Sequence, residues 1–273
     1  MKQRISGNLC RVVTALFAVL LLFPVPSLPA AARTGTLSLT NLINKADMIL
    51  RGTTSAGVYS MDIKTASYTR TFEFVEWDER AGGGRTIVKI LGPALWRGYG
   101  TLKIGNQLML YNPRTDHVTV VGESMLGDSW MGSHFSNDDL VKETRLAQDY
   151  TNKLVKTWSA PDNAGETATY YLIELSPKPT APVAWGKILL EAWERGDVVM
   201  PVRLRYFRKP GDGKPQKTLS FSDVRQMGGR LIPATMVMTV TDKPGEYTSI
   251  TCKDIRFDVA IPRDKFTEQA LRQ

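Results

Sequence analysis

Only two histidines occur in the 273 residues, His117 and His134, and the second follows Ser133 and shortly precedes Asp138 and Asp139. Serine, histidine and aspartate are the parts of a nucleophilic hydrolase, which needs a base within hydrogen-bond reach of the nucleophile and an acid to orient it. Neighbours on one segment seldom face each other that way, and the chain has no Gly-x-Ser-x-Gly elbow. His134 therefore reads as a polar residue at the rim of a site. Metal chemistry lacks a ligand pattern too: two histidines and scattered cysteines give no paired zinc spacing. Asp138-Asp139 suits a helix start better than a calcium loop. Phosphate-cradling Gly-x-x-x-x-Gly-Lys is absent. Glu73 and Glu76 stand among Phe72, Phe74 and Trp77, a combination that could grip a sugar. Charges on a strand face beside core aromatics are the commoner reason for that pattern. Cys252 shares a strand face with Ile250 and reads as a buried, inert thiol. These residues predict a protein with no enzymatic activity, metal or cofactor.

Composition agrees with a folded, non-repetitive chain: 42% hydrophobic, 23% charged, 22 Gly, 15 Pro and only 2 Cys. That is too apolar for disorder and too poor in cysteine for a disulfide framework. Lys2, Arg4 and Arg11, the apolar run from Val12 to Val25, and Ala30-Ala31-Ala32 have the layout of a secretory signal. The run is shorter than the roughly 20 residues of a membrane helix. Residues 1–32 are predicted to be removed before Arg33, and Cys10 with them, leaving Cys252 alone in a single domain over 33–273. Net charge then falls from +8 to +5, since 1–32 holds three basic residues and no acid. The remaining Lys and Arg are interspersed with acids, which argues against nucleic acid and for a mild, transient attraction to anionic membranes.

One helix is expected over Leu39–Leu50, where Leu39, Leu42, Ile43, Ala46, Ile49 and Leu50 recur at helical spacing, with Thr40 or Asn41 as cap. The period then changes to two. Strands are predicted near 58–69, 70–78, 85–91, 99–104, 107–111 and 117–121, and again near 167–175, 186–194, 201–208, 216–222, 231–241 and 247–258. Gly105-Asn106 is a favoured II′ hairpin loop between two of them. No helix-length segments lie between strands, so the sheet is antiparallel. In Leu231–Val240 the apolar face is Ile232, Ala234, Met236, Met238 and Val240; in Pro201–Arg208 it is Val202, Leu204 and Tyr206. About 11 or 12 strands must curl. Such a barrel either fills itself with side chains or keeps a hydrophobic cavity. The tail could add a final helical turn with Phe266, Ala270 and Leu271 facing inward.

The insert near 122–150 is the least ordinary segment. Met125, Leu126, Trp130, Met131 and Phe135 make it too apolar for an exposed loop, while its glycines and serines delay any helix until Asn137 or Asp138. It could be a lid over a greasy pocket or a loop that plugs a core. The run Ser129-Trp130-Met131-Gly132-Ser133-His134-Phe135-Ser136-Asn137-Asp138-Asp139-Leu140 resembles the signature of the outer-membrane lipoprotein-sorting protein family, its LolA-like branch. Gly92 to Gly98, Leu108 to Pro113, Leu231-Ile232-Pro233 and Phe266-Thr267 fit the same pattern in order, so the resemblance spans about 45–271.

What the resemblance implies is a mainly β, unclosed antiparallel β-barrel of about 11 strands with a helical lid and a hydrophobic cavity for acyl chains. It also implies a periplasmic location, a carrier role for lipid or lipoprotein acyl chains, and an inner-membrane transporter partner of the resistance-nodulation-division (RND) type. Trp130, Met131 and Phe135 are the expected moving lining; Phe72, Phe74, Leu102, Ile104, Met236 and Met238 are the expected fixed lining, chosen by alternation. The rival readings are a non-enzymatic sensor module that binds a partner's periplasmic domain, and a structural subunit of a transporter complex.

Overall fold

The computed structural model describes residues 38–80, 83–141, 146–181 and 183–273. The candidate signal segment 1–32, with Cys10 and the cleavage position, lies outside these residues. Helix α1 (Leu39–Asp47) starts at Ser38, whose Oγ accepts the Asn41 N–H at 3.3 Å. The cap is therefore Ser38 and not Thr40 or Asn41, because a hydroxyl reaches the N–H three residues on. Leu42, Ile43 and Ala46 form the buried stripe of α1.

The strands are β1 (Thr54–Lys64), β2 (Thr69–Glu79), β3 (Arg85–Gly92), β4 (Gly100–Ile104), β5 (Gln107–Asn112), β6 (His117–Val120), β7 (Tyr150–Pro161), β8 (Thr167–Pro177), β9 (Lys187–Arg195), β10 (Val198–Phe207), β11 (Lys217–Met227), β12 (Arg230–Val240) and β13 (Tyr247–Phe257). They make one antiparallel sheet in the order β6-β5-β4-β3-β2-β1-β13-β12-β11-β10-β9-β8-β7. Two meanders are thus joined where β1 pairs with β13. Gly105 turns the β4–β5 hairpin with φ +57°, the sign a II′ loop requires at its first position.

Strands β6 and β7 follow each other in the chain yet form the two edges of the sheet. The barrel is consequently unclosed, and the chain between them must travel from one edge to the other. It does so through short 3-10 turns at Glu123–Met125 and Trp130–Gly132, then α2 (Asn137–Val141) and α3 (Leu146–Asp149). Helix α2 opens with a reciprocal cap: Ser136 Oγ accepts the Asp139 N–H, and Asp139 Oδ2 accepts the Ser136 N–H at 2.8 Å.

The mainly β, unclosed antiparallel class is as the sequence predicts, with thirteen strands in place of about eleven. The strand outside the predicted set is β7, whose mostly exposed residues lack the alternation a half-buried strand displays. Both faces of the sheet carry apolar residues. On one, α1 and α3 pack against Ile173, Leu190 and Leu204. On the other, the tail supplies a 3-10 turn (Arg263–Phe266) and helix α4 (Glu268–Arg272), whose Phe266 and Leu271 cover Ile87, Leu102, Met109 and Tyr111. The expected inward packing of the tail therefore holds, but on the outer face.

Candidate functional site

The face opposite the tail encloses a cavity of about 340 Å³, within the range of small-molecule sites. Its walls follow from strand register. On β10–β13 it is apolar, with Leu204, Leu219, Phe221, Met236, Met238 and Ile250; Leu190 of β9 continues it. On β1–β4 the wall changes character row by row. Tyr59 pairs with Phe74, one row on Glu76 is opposite Val88 and Val88 opposite Thr101, and the next row is Ser55, Asp78, Thr86 and Lys103 across four strands. Side chains of period two thus build an apolar-to-charged gradient along one surface.

The charged end is held under strain of solvation. Glu76 has protein around it and faces the cavity, and burial, reinforced by Asp78 and opposed by Arg51, pushes its carboxyl up to about 7. Burial, with Arg51 adding and Asp78 opposing, brings the Lys103 ammonium down to about 8. Asp47, at the end of α1, is likewise raised by burial against the pull of Arg51. Asp78 accepts the Thr86 hydroxyl on Oδ1 at 2.7 Å, while its buried Oδ2 has no hydrogen-bond partner. Among the described residues, no three His, Cys, Asp or Glu side chains converge as a metal site.

Of the nine residues expected to line a cavity, Phe74, Trp130, Phe135, Met236 and Met238 do so. Phe72 lies on the same face, fully buried in the adjoining cluster, and Met131 packs against that cluster without reaching the cavity. Leu102 and Ile104 point the other way: Leu102 is buried beneath the tail, and Ile104 is 38% exposed. The error has a physical cause. Alternation alone equates the apolar face with the cavity face, but β4 presents polar Thr101 and Lys103 to the cavity and its apolar residues to α4. A second departure lies on β10, where a bulge between Pro201 and Arg203 sends Val202 against Trp193 and Met200 while Leu204 and Tyr206 line the cavity.

Glu76, which reads from the sequence as a strand-face charge, faces the cavity. It shares parity with Phe72 and Phe74, and that shared parity was the available signal. Glu73, of the other parity, is exposed.

The 122–136 segment covers this cavity and is pinned by polar contacts. Trp130 Nε1 donates to Thr101 Oγ1 at 2.9 Å, and its ring meets Phe74 edge-on. The Tyr68 hydroxyl donates to the Gly132 carbonyl at 2.6 Å. Gly132, with φ +73°, has no room there for a Cβ, and Met131 beside it also takes a positive φ of 53°. His134 is buried at the wall of a second, more open pocket: its backbone N–H donates to Thr248 Oγ1, its Nδ1 lies 2.8 Å from the same oxygen, and its Nε2 is 3.3 Å from Glu246. Thr248 is wholly buried and shared between two contacts, so this trio fastens the loop to β13. The Ser133 hydroxyl bonds the Phe135 backbone, and Asp139 bonds Lys217, so the sequence-adjacent Ser, His and Asp do not converge. Thr248→Val, which keeps shape but removes the shared hydroxyl, is expected to cost about 1–3 kcal/mol. Urea denaturation measures it; an unchanged midpoint would show the loop is fastened elsewhere. Cys252 is buried beside Ile250 as its parity predicts, and burial lifts its thiol to about 11, which makes it inert.

The described residues thus form an unclosed half-barrel around a largely apolar cavity. Residues 82–273 match a family model described as that of an uncharacterized protein, and the chain belongs to that family. No curated protein matches it. Among solved structures it is similar to a DUF1329 family protein from Desulfovibrio piger (TM-score 0.69, 21% identity, 85% of this chain and 97% of that one). It is similar too to a domain named for outer membrane lipoprotein sorting from Vibrio parahaemolyticus (TM-score 0.65, 20% identity, 81% and 92%). A LolA superfamily protein from Nitrosomonas europaea gives a TM-score of 0.63 at 20% identity over 84% and 97%. The shared property is the fold, which is LolA-like.

Proposed function

We propose that this chain is a periplasmic carrier that holds lipid, or the acyl chains of a lipoprotein, in its cavity and transfers them between inner and outer membranes. The observation that carries this reading is the enclosed apolar wall of Leu204, Phe221, Met236 and Met238 beneath a loop that contributes Trp130 and Phe135. Each methylene moved from water into such a wall is worth ~0.8 kcal/mol, so a partly inserted chain already binds usefully. The likeness to a domain named for outer membrane lipoprotein sorting supports the same reading.

Export by residues 1–32, a single domain over 33–273 and delivery by an RND-type inner-membrane transporter complete it. Loading requires the 122–135 loop to move, with Trp130, Met131 and Phe135 leaving the other lining residues in place. Edge strand β7 suits transient membrane contact: Leu154 and Val155 are exposed beside Lys153 and Lys156, and Trp158 stacks on Tyr170.

Transfer of a fluorescent phospholipid between two vesicle populations tests the proposal. The protein is expected to accelerate transfer, and Met236→Glu, at a half-buried position facing the cavity, to abolish the acceleration while the fold survives. If the wild-type protein does not accelerate transfer, or folded Met236→Glu does so undiminished, the carrier reading fails. A sensor module would instead bind a partner's domain without moving lipid.

A further inference from the structure

A cavity meant only for hydrocarbon has no use for carboxylates, yet Asp47, Glu76, Asp78, Asp138 and Asp139 all line this one, two of them on a single strand. Glu76 and Asp78 occupy successive inward positions of β2, one and two rows beyond Phe74. Asp78 is 6% exposed and its Oδ2 lacks a hydrogen-bond partner. Among the described residues, no side chain donates a hydrogen bond to Glu76. Arg51 and Lys103, in the same cluster, are not without partners of their own. The unmet capacity here is that of an acceptor. Leaving Asp78 Oδ2 buried without a donor costs more than an ordinary hydrogen bond returns, so the fold bears a penalty that an apolar residue at that position would remove.

Deepening the carrier reading and resting on it, we infer that the cavity takes an amphiphile whose inserted end carries a hydrogen-bond donor, a hydroxyl or a protonated amine, held by Asp78 Oδ2 and the Glu76 carboxyl. The apolar body of that ligand then lies against Met236, Met238, Phe221 and Leu204 on the facing strands. The wall is polar where the donor ends and apolar where the chain runs, so it sets direction as well as affinity. Burial of Glu76 sharpens the effect, because a donor that arrives at a raised carboxyl favours its ionised form and adds a charge-assisted bond.

The test is calorimetric titration of the protein, expressed from its full sequence, with lauryl amine, lauryl alcohol and laurate, which share one alkyl chain. The amine and the alcohol are expected to bind about tenfold or more tighter than laurate. An amine that exceeds the alcohol identifies a cationic donor; equal affinities identify a hydroxyl-type donor. In Glu76→Gln and in Asp78→Asn, the ratio between donor-ended and acid-ended probes is expected to collapse towards one. Asn at 78 retains an oxygen for the Thr86 hydroxyl, so that variant keeps its cross-strand bond. Equal binding of all three probes to the wild-type protein, or tightest binding of laurate, overturns this inference and leaves the carrier reading standing. A ratio unchanged in both variants overturns it equally. Failure of every probe to bind overturns the carrier reading itself.

Discussion

Trp130→Ala is expected to unfasten the loop that closes the cavity. Truncating a buried tryptophan ordinarily costs about 3–5 kcal/mol, and here the loss includes the bond to Thr101 and the edge-on contact with Phe74. The loop's other ties to the rest of the protein include Tyr68 to Gly132 and His134 to Thr248 and Glu246, beside internal bonds from Asn137 to Asp128 and Met125 and from Asp138 to Leu126. A short segment with two consecutive positive-φ residues, Met131 and Gly132, gains little from staying ordered once its anchor is gone. The expected result is local. Amides of 125–137 lose hydrogen-exchange protection, while β9–β13 keep theirs. Trp130→Phe, which keeps most of the apolar contact, should lose only about 1 kcal/mol. Protection unchanged in Trp130→Ala would mean that the tryptophan is not the anchor.

The second large effect concerns acid and stability. Glu76 titrates near 7 in the folded protein against 4.5 for an ordinary glutamate. Below about pH 4.5 the group is protonated in both the folded and the unfolded chain and contributes no difference. Between about 4.5 and 7 the unfolded chain releases the proton first, so folding binds a proton and stability falls as pH rises through that window. Above it the full penalty applies, ~3 kcal/mol for a difference of this size. Asp47, also raised by burial, adds a loss of the same sign as pH rises above its ordinary range. Glu76→Gln cannot ionise and is expected to match the wild-type protein near pH 4.5 and to exceed it by ~3 kcal/mol at pH 8. Denaturation midpoints across this range measure the difference curve. A constant offset between the two proteins would show that Glu76 is solvated and not enclosed.

Much of this was legible in the residues themselves. Alternation in β12 identified Met236 and Met238, and alternation in β2 identified Phe74, because in both strands the apolar parity faces the cavity. The unusual apolar content of the 122–136 loop marked Trp130 and Phe135. Three features were hidden, each for a physical reason. Leu102 and Ile104 were assigned to the cavity because nothing in β4 reveals that a helix some 165 residues later, α4, would cover its other face. Val202 was misplaced by a bulge, which shifts parity by one residue and leaves no trace in composition. Strand β7 is an edge with both faces largely exposed, so it carries no periodic signal at all. Two of the cavity's acids, Glu76 and Asp78, are visible in the parity of Phe72 and Phe74. Their meaning required the register with Ser55, Thr86 and Lys103, which only the paired strands supply.

The central claim is that the cavity carries an acyl-chain ligand. Native mass spectrometry tests it most directly, on protein released from the cell envelope without detergent. A discrete added mass that fragments as a lipid or an acylated peptide is the predicted result, and it would name the cargo class. A bare polypeptide mass that stays bare after incubation with phospholipid vesicles would contradict the claim.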